Sequence, residues 1–329
     1  MIDIACAIAP VFLTILAGMI VEKTDLLPRQ LNQMLGLFVI DICMPCLIFH
    51  IFANITPDQL AHGKWWLCAL GAQVGVALLC FVVEKARGSN TGEGTVSSLG
   101  GAFCNAAFIG FPIVLNILPG NGDATMVCGL VLLATNVLVI PALVILDVES
   151  KRRTGRTEKQ TSLPKAAWRV LRRFVLGNPM LMATILGAIV ALCRIPIWAP
   201  LDKTLADIGY IGPSCMLFSL GLGLRENLVR ALRGGTCKVG HQLWLMLWKL
   251  VLLPLIAGLL LVACGYTGLW VAVPVIIFAS GTATVTSVIA ELYHARAEET
   301  SLTVVLSSTA CLFTIAGWIW VLQQLGYLP

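Results

Sequence analysis

Two stretches of the sequence place helix-weakening and polar residues inside otherwise apolar surroundings. The first combines two adjacent glycines with Asn105, Gly110 and Pro112. Glycine and proline both weaken a helix, and an interrupted helix exposes N–H groups that hold anions and carbonyl groups that hold cations. The second stretch carries five hydroxyl side chains and a glycine within eight residues: Ser280, Gly281, Thr282, Thr284, Thr286 and Ser287.

Irregular backbone at membrane depth is tolerated only where it lines a cavity. The alternative interpretation is close packing of intact helices through small residues and hydroxyl groups. We favour interrupted helices because the two stretches occupy matching positions in the two halves of the chain. We assign Thr286 and Ser287 to a coupling ion. The remaining residues of the two stretches form a predicted substrate site: Asn105, Gly110, Pro112, Ser280, Gly281, Thr282 and Thr284.

Two charged residues lie deep in apolar sequence. Asp41 precedes Pro45 by four residues, and Lys249 lies between LMLW and LVLLP. A charge at the bilayer centre costs about 2.5–3.5 kcal/mol on insertion scales, and such residues usually mark a transport pathway. We therefore predict that Lys249 attracts a carboxylate substrate or pairs with Asp41, the alternative being a lysine that reaches the membrane surface. Asp41 carries a proton or a sodium ion, or else makes a structural hydrogen bond near Pro45.

Other chemistry has little support in the sequence. Asn136, five residues before Pro141 in an apolar segment, is a further candidate for substrate binding. The sequence contains no ATP-binding G-x-x-x-x-G-K-[ST], no H-E-x-x-H and no G-x-S-x-G, and its His and Cys residues do not have zinc-site spacing. We predict neither an enzyme, nor a cofactor, nor a bound metal, apart from Na+ or H+ as a coupling ion.

The composition places the whole chain in a membrane. Of its 329 residues, 58% are apolar and only 12% are charged, and the mean hydropathy is +0.90. A soluble chain is roughly 45–50% apolar and about 25% charged. These values exclude a soluble globular protein, a disordered protein and a nucleic-acid binder. The lipid bilayer is the predicted partner.

Ten apolar segments are long enough to cross a bilayer, which takes about 20 residues per helix. They form an all-helical polytopic membrane protein, and segments four and nine contain the two stretches described above. The predicted segments are 3–22, 31–52, 65–86, 97–118, 124–147, 174–193, 204–224, 239–263, 269–290 and 300–323.

The basic residues predict the orientation of the segments. With the N-terminus outside, 18 of the 22 Lys and Arg residues lie in the inward connections and three in the outward ones. Cytoplasmic loops carry such an excess of Lys and Arg. The sequence therefore predicts a multi-pass protein of the cell membrane, the inner membrane of a bacterium, with both termini outside.

Proline and glycine recur in the same register in the two halves of the chain. Segments one and six each contain a proline, seven further residues and a glycine: Pro10 with Gly18, and Pro179 with Gly187. The next segments continue with Pro45 and Pro213, at separations of 35 and 34 residues.

This register predicts an internal repeat of five helices. Because five is odd, the second copy must be inverted in the membrane, and inverted repeats are typical of secondary transporters whose site lies where the repeats meet. We divide the chain into a first repeat at 1–147, a basic cytoplasmic linker at 148–173 and a second repeat at 174–329. The linker sets the topology, or alternatively contacts anionic lipid headgroups.

Five stretches resemble one known family. They are LNQMLGLFVIDICMPCLIF in segment two, CNAAFIGFPIVLNILPG in segment four, SCMLFSLGLGL in segment seven, LWKLVLLPL in segment eight and AELY at the end of segment nine. They occur in the expected order over nearly the whole chain. The sequence resembles the auxin efflux carrier family, whose bacterial members include malonate and malate permease-like proteins.

The resemblance implies ten helices in two inverted five-helix repeats, with helices four and nine broken and crossing at the centre. It implies that segments three to five and eight to ten form a transport bundle, which moves against a scaffold of segments one, two, six and seven. It implies small organic anions as substrates, and it makes a homodimer plausible. Asp41 is acidic where the family is often neutral. Positions that match ones the family keeps polar or special are Asn105, Gly110, Pro112, Asn136 and Lys249.

The sequence thus leads to one principal hypothesis and one alternative. The principal hypothesis is a secondary transporter that moves a small carboxylate such as malonate or malate by alternating access, coupled to a proton or a sodium gradient. The alternative is a membrane sensor or binding protein that uses a transporter fold without transport.

Overall fold

The computed structural model describes residues 2–24, 28, 30–56, 62–153, 176–233 and 239–328. The regular structure of these residues is entirely helical. The helices are numbered here after the predicted segments. They are α1 (Ile2–Lys23), α2 (Leu31–Ala53), α3 (Gly63–Ala86), α4a (Thr91–Ala102), α4b (Ala106–Ile117), α5 (Gly122–Arg153), α6 (Pro179–Leu192), α7 (Ala199–Arg233), α8 (Gly240–Ala263), α9a (Leu269–Phe278), α9b (Val285–Leu292) and α10 (Ala297–Gln324).

Six helices of the described ranges are long and apolar enough to cross a membrane: α2, α3, α5, α7, α8 and α10. Shorter apolar helices are α4b, α6 and α9a. Large apolar side chains such as Leu67, Leu259 and Phe313 are more than 60% exposed. Because an apolar surface of this extent is unfavourable in water, these faces are expected to contact lipid.

The helices pack into two groups. Helices α1 and α2 pack against α7, and α2 also packs against α6; we call these four the scaffold. Helix α3 packs against α4a and α8, and α5 packs against α4a and α9a. Helix α9a also packs against α8, and α9b packs against α10. We call this second group of helices the bundle. This grouping agrees with the division into scaffold and transport bundle that the family resemblance implied.

Three of the helices widen into a π-helical turn just before a proline. The turns Val39–Cys43, Ala106–Gly110 and Trp248–Leu252 each end two residues ahead of Pro45, Pro112 or Pro254. Proline has no N–H and its ring clashes with the carbonyl group four residues earlier. A local π turn changes the pairing of the freed carbonyl groups, so the helix continues through the proline.

Glycine allows the closest helix contact in the scaffold. A Cβ atom on Gly221 of α7 would lie 2.1 Å from the carbonyl oxygen of Ile15 in α1, and one on Gly18 would lie 2.2 Å from the carbonyl oxygen of Phe218. Backbones approach this closely only where small residues line the interface. The equivalent Gly187 of α6 lies against the backbone of Phe49 in α2.

We expect Gly221→Ala to destabilise the protein by about 1–3 kcal/mol, because the new methyl group must push α1 away from α7. Thermal unfolding in detergent measures the effect. Gly36→Ala is the matched control, since a Cβ atom on Gly36 meets nothing within 4 Å. It should not destabilise the protein, because alanine stabilises a helix by about 0.5–1 kcal/mol relative to glycine. Equal melting temperatures for the two variants would contradict the proposed contact.

Several predicted helix boundaries were wrong. Helix α4a begins at Thr91, six residues before the predicted start at 97, because Asn90 and Glu93 form a reciprocal capping box. The N-x-x-E spacing was the signal that could have shown this. Helices α5 and α7 continue to Arg153 and Arg233, beyond the predicted ends at 147 and 224. Polar residues there extend the helices past the apolar run. Linker residues 154–173 lie outside the described residues.

Candidate functional site

Segments four and nine are both interrupted, as predicted, and they meet at their interruptions. The Asn105 N–H donates to the carbonyl oxygen of Gly281 at 2.8 Å, and the Ala283 N–H donates to that of Phe103 at 3.0 Å. These two bonds form an antiparallel bridge between Cys104 and Thr282. Each unwound chain thus supplies hydrogen-bond partners for the other, which is what backbone inside a membrane requires. We call this contact the crossover.

Side chains behind the crossover hold its geometry. The Thr282 hydroxyl donates to the carbonyl oxygen of Gly100 at 2.7 Å, and the Thr282 N–H donates to the Ser307 hydroxyl at 2.9 Å. Gly281 lies so close to Ser308 that a Cβ atom would come within 2.7 Å of its backbone. The roles of Gly281 and Thr282 in this structure are therefore to build the crossover.

A cavity of about 680 Å3 lies between the scaffold and the bundle. It runs from the crossover to the end of the molecule at which α5 ends and α6 begins; we call this the basic end, because α5 ends there with Arg152 and Arg153. Scaffold residues Ile40, Asp41 and Met180 form one wall. Residues of the bundle form the other wall: Phe103–Phe108, Leu132, Thr135, Asn136, Leu143, Asp147, Ala283–Val285, Val288, Leu292 and Tyr293.

Both half-helices that lead away from the crossover start in the cavity wall. Ala106, Ala107 and Phe108 form the first turn of α4b, and Thr284 and Val285 begin α9b. The N–H groups of a first helical turn have no partner within the helix, and the helix dipole places partial positive charge there. The crossover therefore presents two positive helix ends to the cavity, an arrangement that suits an anion.

Three of the predicted substrate residues lie in this wall. Asn105 is 4% exposed and lines the cavity at the crossover. Asn136 also lines the cavity, and its side-chain amide donates to the carbonyl oxygen of Leu132 at 2.9 Å. Thr284 is exposed at the start of α9b. The predicted ion-coupling residue Asp41 is exposed in the scaffold wall opposite them.

The structure places Lys249 away from the cavity wall and does not pair it with Asp41. Its side chain is fully buried, and Nζ donates to the carbonyl oxygen of Phe278 at 2.5 Å. Phe278 is the last residue of α9a, where the helix dipole leaves partial negative charge. The ammonium group therefore neutralises the broken end of α9a from behind the crossover. The alternative, a lysine that reaches the membrane surface, does not fit a fully buried side chain.

The remaining predicted residues lie behind the cavity wall or beside it. Gly110 lies against Ile277 of α9a, and Pro112 is buried in the helix that follows the π turn. Ser280 and Thr286 are fully buried, and in the described residues their hydroxyl oxygens have no hydrogen-bond partner. Ser287 donates to the carbonyl oxygen of Thr284 at 2.7 Å. These positions do not line the main cavity in this conformation.

Sequence reasoning missed a polar pair beside the crossover. Gln73 of α3 is fully buried, and its amide donates to the Thr135 hydroxyl at 2.9 Å. Thr135 and Cys104 both line the cavity, with Sγ of Cys104 3.3 Å from the Thr135 hydroxyl oxygen. A lone glutamine in the apolar run CALGAQVGVAL was the available signal, because an uncharged polar residue inside a membrane helix also needs a partner.

A second polar cluster ties the bundle together at the basic end. Glu84 is 1% exposed and accepts from Arg296 at 2.9 Å, while His241 lies 3.1 Å from its other oxygen. Arg296 also donates to the Ser89 hydroxyl at 2.8 Å. Glu84 lies in α3 and His241 in α8, while Ser89 and Arg296 precede α4a and α10, so the cluster holds these four helices as a unit.

Comparison with known protein families also indicates a membrane transport protein. A family model described as membrane transport protein matches residues 3–319, which is nearly the whole chain. No curated protein matches the sequence.

Proposed function

Because the chain belongs to the membrane transport protein family, to which the auxin efflux carriers also belong, we propose that it carries a small organic anion across the membrane by alternating access. Members of this family are transporters rather than enzymes. A dicarboxylate such as malonate or malate is the proposed substrate. The supporting observation is the crossover, where two positive helix ends and Asn105 line one cavity.

The charge of the cavity bears on the coupling ion. Within the described residues the wall contains two carboxylates, Asp41 and Asp147, and no lysine or arginine. An ionised Asp41 repels a dicarboxylate that shares its cavity. Protonation removes that repulsion, so the anion binds best together with a proton. We therefore propose a proton as the coupling ion and Asp41 as its carrier.

The present conformation fits one half of an alternating-access cycle. The cavity reaches the basic end. Because loops rich in Lys and Arg usually lie in the cytoplasm, we take this end as the cytoplasmic one. Toward the opposite end, Phe52 and Ile51 of the scaffold pack against Gly129 of the bundle and close the path. We propose that this is the inward-facing state, in a cell membrane, with both termini outside.

An inverted repeat explains how the opposite state can have similar energy. Helix α1 packs against α7 through Gly18, and α6 packs against α2 through Gly187. The two bonds at the crossover are reciprocal in the same way, since each interrupted segment donates once and accepts once. These exchanged contacts support two pseudo-equivalent halves, and hence ten crossing segments in two inverted repeats.

The decisive experiment is uptake of labelled malonate into proteoliposomes under an imposed proton or sodium gradient. Uptake that follows an inward proton gradient, and that is abolished by a protonophore, supports the proposal. Uptake that follows sodium alone contradicts proton coupling. Tight binding of a carboxylate with no uptake under either gradient would favour the membrane sensor instead.

We expect Asp41→Asn to remove the pH dependence of anion binding. The wild-type Kd for malonate should rise at least 10-fold between pH 5 and pH 8, because an ionised Asp41 repels an anion that shares its cavity. In the variant the Kd should change less than about 3-fold. Isothermal titration calorimetry provides the measurement.

Asp207→Asn is the matched control, since Asp207 is an exposed aspartate on scaffold helix α7 that does not line the cavity. It should retain the wild-type pH dependence. If Asp41→Asn also retains it, Asp41 is not the proton carrier.

A further inference from the structure

Two cysteines from distant parts of the chain meet at the end of the bundle opposite the basic end. Sγ of Cys68 in α3 lies 3.2 Å from Sγ of Cys264, and the two residues are 196 positions apart. Cys264 follows the last residue of α8 and is exposed, whereas Cys68 is buried. A disulfide has an S–S distance of about 2.05 Å. A shift of about 1 Å, such as a change of rotamer, therefore brings the two sulfur atoms to bonding distance.

The surroundings place this pair close to a membrane surface. Trp65 donates its indole N–H to the carbonyl oxygen of Trp270 at 3.1 Å, and the two rings pack 5.8 Å apart. The rings of His62 and Tyr266 also contact Trp270. Tryptophan and tyrosine concentrate at the membrane–water interface. Cys264 is therefore accessible to water-soluble reagents, unlike the cysteines within the apolar helices.

We propose that Cys68 and Cys264 form a site of reversible disulfide formation that links α3 to α8. The oxidant is a small-molecule or protein disulfide. The thiolate of exposed Cys264 attacks it, forms a mixed disulfide and releases one thiol. The Cys68 thiolate then displaces the second thiol from Sγ of Cys264. Two protons leave the protein thiols, and two electrons reduce the oxidant to two thiols.

The position of the link predicts its effect. Both α3 and α8 belong to the bundle, so the disulfide joins two helices that move together and does not connect the bundle to the scaffold. It should stabilise the bundle without blocking its movement. This site does not depend on the identity of the substrate. On the orientation proposed above it lies outside the cell, where disulfides persist.

Peptide mapping tests the site on the purified full-length protein in lipid nanodiscs. After treatment with oxidised glutathione and alkylation of the remaining thiols, mass spectrometry should find a Cys68–Cys264 linked peptide in most molecules. Dithiothreitol should remove it. Cys264→Ser should abolish it, and exposed Cys193 should become only glutathionylated. Absence of the linked peptide while Cys193 reacts would overturn the proposal.

Thermal unfolding separates a stabilising link from incidental oxidation. The oxidised wild-type protein should melt about 5 °C higher than the reduced protein, because the link closes a long loop. The oxidised Cys264→Ser variant should show no such rise. A linked protein that melts at or below the temperature of the reduced form would contradict the stabilising role, and this result is independent of any transport assay.

Discussion

Lys249→Met is expected to lower the rate of transport about 100-fold in protein that still inserts and folds. Lys249 does not line the cavity, so the effect must come through the crossover. The wild-type ammonium group bonds the carbonyl oxygen at the end of α9a. Methionine has a similar length but leaves that buried oxygen without a partner. A hydrogen bond to a charged group contributes about 1.5–3 kcal/mol, and about 2.7 kcal/mol corresponds to a 100-fold change in rate.

The assay compares initial rates of malonate uptake and, separately, the Kd for malonate. We expect the rate to fall much more than the affinity, because Lys249 shapes the crossover from behind and does not touch the substrate. Lys249→Arg should recover part of the rate, since it retains the charge and the donor.

Trp318→Phe is the matched control for Lys249→Met. It removes the indole bond to the carbonyl oxygen of Leu250, 2.9 Å long, in the same π turn, but it removes no charge. It should keep transport within a few-fold of wild type. Wild-type transport by Lys249→Met would exclude Lys249 from the mechanism. An equal loss of affinity and rate would instead place Lys249 at the substrate.

Asn105→Ala is expected to weaken malonate binding by 10- to 100-fold, which corresponds to about 1.4–2.7 kcal/mol. Asn105 lines the cavity at the crossover, and we expect its side-chain amide to donate to the anion. Its backbone N–H, which bonds Gly281, is retained in alanine, so the fold should persist. Asn105→Asp should weaken binding further, because it adds a negative charge where the anion sits.

Asn116→Ala controls for the loss of an asparagine from the same segment of the chain. Asn116 donates to the carbonyl oxygen of Pro112 at 2.9 Å and does not line the cavity. Its affinity for malonate should match that of wild type. Unchanged binding by Asn105→Ala would remove Asn105 from the site, and undiminished malonate binding by Asn105→Asp would contradict an anion at this position.

Features that depend on local composition were predictable from the sequence. The apolar runs predict the helices, because the bilayer core demands internal backbone hydrogen bonds. Glycine, proline and hydroxyl residues predicted that segments four and nine are interrupted, and the structure interrupts them at Phe103–Asn105 and Ala279–Thr284. The resemblance to the auxin efflux carrier family is confirmed by the family match over residues 3–319.

Only the tertiary structure decided which polar groups face the cavity and which lie behind it. Lys249 and Asp41 are both charged residues in apolar sequence. Lys249 donates a hydrogen bond to the end of α9a, whereas Asp41 lies in the scaffold wall of the cavity. Likewise, the Gln73–Thr135 and Cys68–Cys264 contacts join residues 62 and 196 positions apart. Hydropathy is a sum over neighbours along the chain. The direction and partner of a side chain depend on the rotation of its helix and on contacts with distant helices, which that sum does not contain.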